Sequence, residues 1–223
     1  MARAAKVLAG PQATWRNAPD LELTPILSHT LDAFYENGYH GTSVRDIARR
    51  VGLTVPAIYY HHENKEALLM ALLDRSIDAV LGLCDEALAA AGDDPEQRFL
   101  NLIECLVLFM AHSTKIAYID RDIRALSPAN YKAYSAKRRR VERLMAGVIS
   151  GGVEAGIFDV TAPTDTARAL LGMVQSVAAW FQPEGRLPAQ VVAAQYLDVS
   201  AHAVGATPAI LRRVREGSAA VPA

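Results

Sequence analysis

Apolar residues recur three and four positions apart along most of the chain, and no stretch shows the two-residue alternation of a half-buried strand. That period predicts an all-α protein. From Thr24 to Asn37, Leu27, Leu31 and Phe34 share one face of a helix that Gly38 ends. Val44, Ile47, Ala48 and Val51 then give a second segment its buried face and leave Arg45, Arg49 and Arg50 outside. Ser43 and Asp46 stand at capping-box spacing, and Gly52 suits the left-handed residue past the last turn. Thr54 caps a very short third segment with Pro56 in its first turn, where a missing N–H costs nothing. Tyr59, Tyr60 and His61 are consecutive, so at the helical turn angle at least one aromatic tip faces outward. Asn64 caps the next helix, with Lys65 at its positively polarised N-terminus, an arrangement that suits a phosphate. Two short helices joined by a tight turn, with a third starting at their end, outline a helix-turn-helix.

The pattern continues with a long helix over Glu66 to Ala91, apolar on more than one side. Gly92 to Pro95 ends it and starts Glu96 to His112, striped by Leu102, Leu106, Phe109 and Met110. Residues 113 to 127 are less regular. Ser127 and Pro128 open a helix from Ala129 to about Glu154 that carries Lys137 to Arg140; four consecutive charges wrap its circumference, a solvated face or a contact for the phosphates of a nucleotide-bearing effector. Thr164 to Phe181 is apolar on one face and carries Met173 and Trp180 on a second, and Leu187-Pro188 begins the last major helix, to about Val204. A helix with two apolar sides is covered twice, so the helices near 164–181 and 188–204 are expected to form a four-helix interface in a twofold homodimer. A short basic helix over Ile210 to Arg215 precedes a flexible end. The expected division is a disordered N-terminal arm (1–20), a three-helix head with the helix-turn-helix (21–68), a larger dimerisation body (69–206) and a flexible tail (207–223). The arm's scattered Arg3, Lys6 and Arg16 also fit a basic extension reaching into a neighbouring groove.

Composition narrows the function more than the fold. With 23 Lys+Arg against 24 Asp+Glu the net charge is −1, so a nucleic-acid function is confined to one face. Residues 1 to 65 hold seven basic and six acidic side chains, and the argument for DNA therefore rests on where the charges sit. Cys84 and Cys105, the only cysteines, lie among apolar residues and read as small core residues of a reducing compartment. No apolar run has the length of a membrane span and residues 1 to 20 lack a signal-peptide core, which points to the cytoplasm and away from membranes. Six dispersed histidines, no nucleophile motif and no Gly-rich phosphate loop predict no enzyme, no metal site and no cofactor.

The run Thr42-Ser43-Val44-Arg45-Asp46-Ile47-Ala48, then Val51-Gly52-Leu53, Ile58-Tyr59-Tyr60-His61 and Asn64-Lys65-Glu66-Ala67-Leu68 resembles the N-terminal signature of the TetR family of transcriptional regulators. Val55 stands where that family commonly has a lysine, and His62 where a phenylalanine usually plugs the core. The resemblance implies a dimer that holds a double-stranded DNA operator. Ser43, Lys65, Tyr59, Tyr60 and His61 would then lie on phosphates, Thr54, Val55 and Pro56 near bases, and Arg45 on a guanine edge or a phosphate. It also implies a small-molecule effector site in the body, for which Phe109, Met110, Tyr134, Met173 and Trp180 (with Tyr131) are the candidates. The turn Trp180 to Pro188 is similar to that of TetR-like regulators of fatty-acid or steroid breakdown, which respond to acyl-CoA esters. A ligand-responsive repressor is the leading reading; an all-helical binding or scaffold protein that no longer reads DNA is the alternative.

Overall fold

A computed structural model describes residues 14–17 and 21–219. Among these residues the chain is helical throughout, with eleven α-helices, two 3₁₀ turns and no strand. The helices gather into two compact units, one of residues 21–79 with 113–138 and the other of residues 14–17, 80–112 and 139–219. Residues 113–138, which the sequence division placed after the boundary at residue 68, pack with residues 21–79 in the first of these units.

The head unit begins with α1 (Pro25–Gly41), which Thr24 caps by accepting the Leu27 amide at 3.3 Å. Its helical geometry breaks at Gly38, the residue expected to end it, where φ is 73°. The chain resumes a short turn beyond, and Thr42 Oγ1 donates back to the carbonyls of Ala33 and Gly38 at 3.0 and 2.9 Å. Helices α2 (Val44–Val51) and α3 (Val55–His61) follow. Ile47, Ala48 and Ile58 are buried on their inner sides, beside Phe34 and Tyr39 of α1, whose rings meet edge to face at 5.4 Å. The first turns of α4 (Lys65–Ala91), the short α6 (Thr114–Tyr118), the 3₁₀ turn Ile119–Ala125 and the start of α7 (Pro128–Glu154) complete this unit. Lys115 on α6 pairs with Asp32 on α1 at 2.7 Å. Tyr134 on α7 donates its hydroxyl to Asp120 at 2.6 Å, and Arg138 pairs with the same carboxylate at 3.4 Å.

The body unit is built around α5 (Pro95–His112), buried along nearly its whole length and packed against α10 (Ala189–Ala203), α8 (Pro163–Gln175) and α9 (Val177–Trp180). Cys84 and Cys105 are free and buried here, as expected of small core residues. Past α7, Phe158 turns back into the core with its ring 4.9 Å from Phe99 and packed close against Gly152.

Three expectations change. The helix expected over 164–181 is two, because at Ser176 the hydroxyl donates to the Met173 carbonyl at 2.6 Å and the backbone tightens before α9 begins. The short helix expected over Ile210 to Arg215 is longer: α11 (Pro208–Ala219) takes up most of the tail expected to be flexible, with Ile210 and Val214 buried against α10. Arg213 adds an ion pair to Glu96 that fastens α11 to the start of α5. Within the arm expected to be disordered, Thr14–Asn17 is a 3₁₀ turn packed on α5, its Trp15 only 2% exposed. Arg16 there forms a two-pronged ion pair with the buried Glu104, both bonds 2.9 Å. The remainder of the arm and the last four residues lie outside the described residues. No single helix among the described residues is long and apolar enough to cross a membrane.

Candidate nucleic-acid interface

The local chemistry that sets α2 and α3 follows the sequence closely. Ser43 Oγ accepts the Asp46 amide while Asp46 accepts from the Ser43 backbone, a complete capping box. Gly52 sits at φ 75° and lets the chain leave α2 in two residues. Thr54 Oγ1 then accepts the Ala57 amide at 3.3 Å and starts α3, with Pro56 in its first turn. Ile58 anchors α3 inward, which forces its neighbours outward: Tyr59 is 47% exposed and Tyr60 86%.

Of the nine residues assigned to DNA, Ser43, Arg45, Thr54, Pro56, Tyr59, Tyr60 and His61 are exposed and lie within the adjoining α2 and α3 or their caps. Val55 is half-buried at the first position of α3. Lys65 is half-buried as well, and its ammonium is spent inward: Nζ donates to the carbonyls of Tyr39 and Thr42, both at 2.9 Å, and lies 4.3 Å from the Tyr39 ring centre. Two of its three donors hold the carbonyl end of α1, leaving one for a phosphate. Arg49 pairs with Asp46 and Arg50 with Glu36 at 2.6 Å, so Arg45 is the arginine of α2 without a salt-bridge partner among the described residues. Asp46 is held below its ordinary range by the hydrogen bonds from Ser43 and by Arg49, and Glu36 by the hydrogen bond from Arg50. Burial, with His61 beside it, lowers the His62 imidazole.

Of the five effector candidates, four belong to the body unit and Tyr134 to the head unit. Phe109 is buried in the body on α5 and Met110 half-buried next to it. Met173 is half-buried on α8, and Trp180 is 44% exposed at the end of α9, stacked on Tyr196 at 6.5 Å. Tyr134 belongs to the head unit, where burial and the Asp120 carboxylate hold its hydroxyl protonated far above the ordinary range. The basic run of α7 is largely committed to acids: Lys137 to Asp74 and Asp78 at 2.8 and 3.0 Å, Arg138 to Asp120, Arg140 to Asp85 at 2.9 Å. Only Arg139 of the four stands clear of acidic partners among the described residues. The carboxylates that answer these charges were missed in the sequence, because Asp74, Asp78 and Asp85 lie 55 to 63 positions away, Asp120 is on another element, and no helical period relates them.

One contact deserved notice and had no sequence signal. Glu66, in the first turn of α4, accepts the Ser127 amide and the Asn130 side-chain amide, both at 2.7 Å, and so binds the N-terminus of α7. Those hydrogen bonds hold the Glu66 carboxyl below its ordinary range.

Comparison with known proteins matches both parts of the chain. The model for bacterial regulatory proteins of the tetR family matches residues 26–72, and that for the tetracyclin repressor-like C-terminal domain matches residues 92–204. The HTH-type transcriptional repressor KstR2 of Rhodococcus jostii (strain RHA1) is 27% identical over 179 residues, covering 79% of this chain and 87% of that protein. A crystal structure of a bacterial regulatory protein in the tetR family from Rhodococcus RHA1 superposes with a TM-score of 0.76 at 25% identity, over 82% of this chain and 96% of that one. AibR, solved in complex with isovaleryl coenzyme A and operator DNA, shares the fold with a TM-score of 0.68 at 24% identity, over 82% and 97% of the two chains.

Proposed function

The chain belongs to the TetR family of DNA-binding transcriptional regulators, and from that premise we propose that it is a cytoplasmic homodimeric repressor released from its operator by an acyl-CoA ester. The observation that carries the reading is the surface of α3. A seven-residue helix that buries Ile58 and exposes Tyr59, Tyr60 and His61 side by side spends aromatic area on solvent, which a helix serving only as scaffold has no reason to do. Such a helix enters the major groove, its N-terminal Thr54, Val55 and Pro56 toward the bases and the tyrosines on the backbone. Few of these side chains make a two-pronged base contact, so sequence preference comes from thymine methyls and from DNA shape.

Repression is supported by the KstR2 relative, which is a repressor by name. The acyl-CoA class is supported by the Trp180 to Pro188 turn and by the AibR complex, in which a protein of this fold holds isovaleryl-CoA and operator DNA together. Because ligand and operator coexist in that complex, release is a matter of relative affinity: an effector that prefers a different setting of α4 weakens operator binding by the same coupling factor, roughly 5- to 150-fold. Phe109, Met110, Tyr134, Met173 and Trp180 remain the candidates for the acyl group.

A mobility-shift titration with DNA from upstream of the protein's own gene tests the reading. Tyr60→Ala is expected to lower affinity about 10-fold, the worth of one hydrogen bond to a charged phosphate, while leaving the melting temperature unchanged because the ring is exposed. Unchanged affinity of both Tyr60→Ala and Tyr59→Ala at near-physiological salt contradicts it.

A further inference from the structure

Three consecutive residues at the start of α4, its cap Asn64 and then Lys65 and Glu66, each hold a different part of the head unit. Asn64 Oδ1 accepts the Ala67 amide at 2.8 Å and starts α4 itself. Lys65 Nζ donates to the carbonyls of Tyr39 and Thr42, gripping the end of α1 and the residue before the Ser43 cap of α2. Glu66 Oε1 accepts from Ser127 N and Asn130 Nδ2, at the start of α7. Neighbours on a helix point about 100° apart, so a single rigid turn faces the helix-turn-helix with one side chain and α7 with the next.

The chemistry at the α7 end makes Glu66 hard to replace. A helix N-terminus leaves its first amides unpaired and carries partial positive charge, which a carboxylate answers better than a neutral group. The chain's own cap there is weak: Ser127 Oγ is 3.5 Å from the Asn130 amide, the outer limit of a hydrogen bond. Farther along, Lys137 binds Asp74 and Asp78 of α4, so α4 and α7 are fastened at two levels within this unit. Beyond residue 138, α7 continues into the other unit.

We propose that Glu66 is a positioning residue that couples the N-terminus of α7 to the helix-turn-helix, so that the state of α7 sets how α2 and α3 are presented to DNA. The inference rests on the regulator reading only for its consequence; the joint itself is tested without DNA or effector. Asn130 is the informative partner, since its side chain lies on α7 and donates to Glu66 alone among the described residues. Glu66 is thus the hydrogen-bonded route by which its removal reaches α2 and α3.

Hydrogen exchange is measured by peptide on the full chain and on Glu66→Ala, Glu66→Gln and Asn130→Ala. Glu66→Ala and Asn130→Ala are expected to speed exchange in peptides covering residues 43–62 by roughly 5-fold, the lower end of ordinary coupling, with peptides of α8 and α10 unchanged. Glu66→Gln, which keeps an acceptor oxygen, falls between these and the wild type. Faster exchange confined to residues 126–131 overturns the proposal, and so does a uniform increase over 21–79 and 113–138, which marks general loosening. Should Glu66→Ala fail to fold, Asn130→Ala and Glu66→Gln carry the test. Affinity for an operator duplex, measured in parallel, is expected to fall by a similar factor in Asn130→Ala. A wild type that binds no duplex removes the regulator reading while the exchange pattern still decides the joint.

Discussion

At the scale of single residues, His62 shows how a departure from the family pattern turns into a measurable property. It caps the end of α3 where a phenylalanine is usual, and burial together with His61 pushes its imidazole below the ordinary 6.5. A base whose folded pKa is depressed contributes stability that is complete above its unfolded pKa and is lost as pH falls through the folded value. Stability is therefore expected to decline from about pH 7 toward pH 5, and His62→Phe to flatten that slope in denaturant melts across the range. His112, also lowered by burial, contributes in the same direction and keeps the slope from vanishing. An unchanged slope in the variant refutes the assignment. The glycines of α7 give a second, paired test. A Cβ on Gly152 would lie 2.0 and 2.2 Å from ring carbons of the buried Phe158, whereas one on Gly151 meets nothing within 4 Å. Gly152→Ala should cost about 2 kcal/mol by overpacking, and Gly151→Ala should gain roughly 0.5–1 kcal/mol as a helix-interior glycine replaced; thermal melts of the two variants read the opposite signs. None of this was visible in the sequence, where the two adjacent glycines look alike and Phe158 is merely an apolar residue in a turn.

At the scale of elements, what was legible was whatever chemistry acts over three or four residues. The Ser43 capping box, the left-handed Gly52, the Thr54 and Asn64 caps and the break at Gly38 all stand where local spacing put them. Contacts between distant elements left no such trace. The Glu66 joint to α7 and the Lys137 pair to α4 depend on packing that periodicity does not encode. The same reason hid the Trp15–Arg16 turn. A tryptophan and an arginine in a Pro/Gly-containing stretch read as disorder until α5 supplies a buried Glu104 to answer the charge. Burial raises the Glu104 carboxyl and Arg16 opposes that rise, so the pair stands or falls together. Arg16→Ala strands the carboxylate and is expected to cost about 3 kcal/mol, read in a denaturant titration. A cost under about 0.5 kcal/mol would mean that Glu104 is satisfied without Arg16.

At the scale of the whole molecule, the proposed dimer and the proposed repressor are one claim, because a short recognition helix holds a site firmly only when a second copy holds the other half. Trp180, Leu187 and Val199 are large apolar side chains left exposed on the body, and Val199 lies on α10, one of the two helices whose surplus apolar faces predicted an interface. Val199→Glu is expected to convert a dimer to a monomer in sedimentation at micromolar concentration. The central claim is tested most directly by fluorescence anisotropy of wild-type protein titrated onto a labelled duplex from upstream of its own gene, with and without isovaleryl-CoA, at about 0.15 M salt. The expected result is saturable binding of one dimer per site, at least 10³-fold tighter than to a scrambled duplex and weakened 5-fold or more by the ester. Equal affinity for the two duplexes would contradict the account.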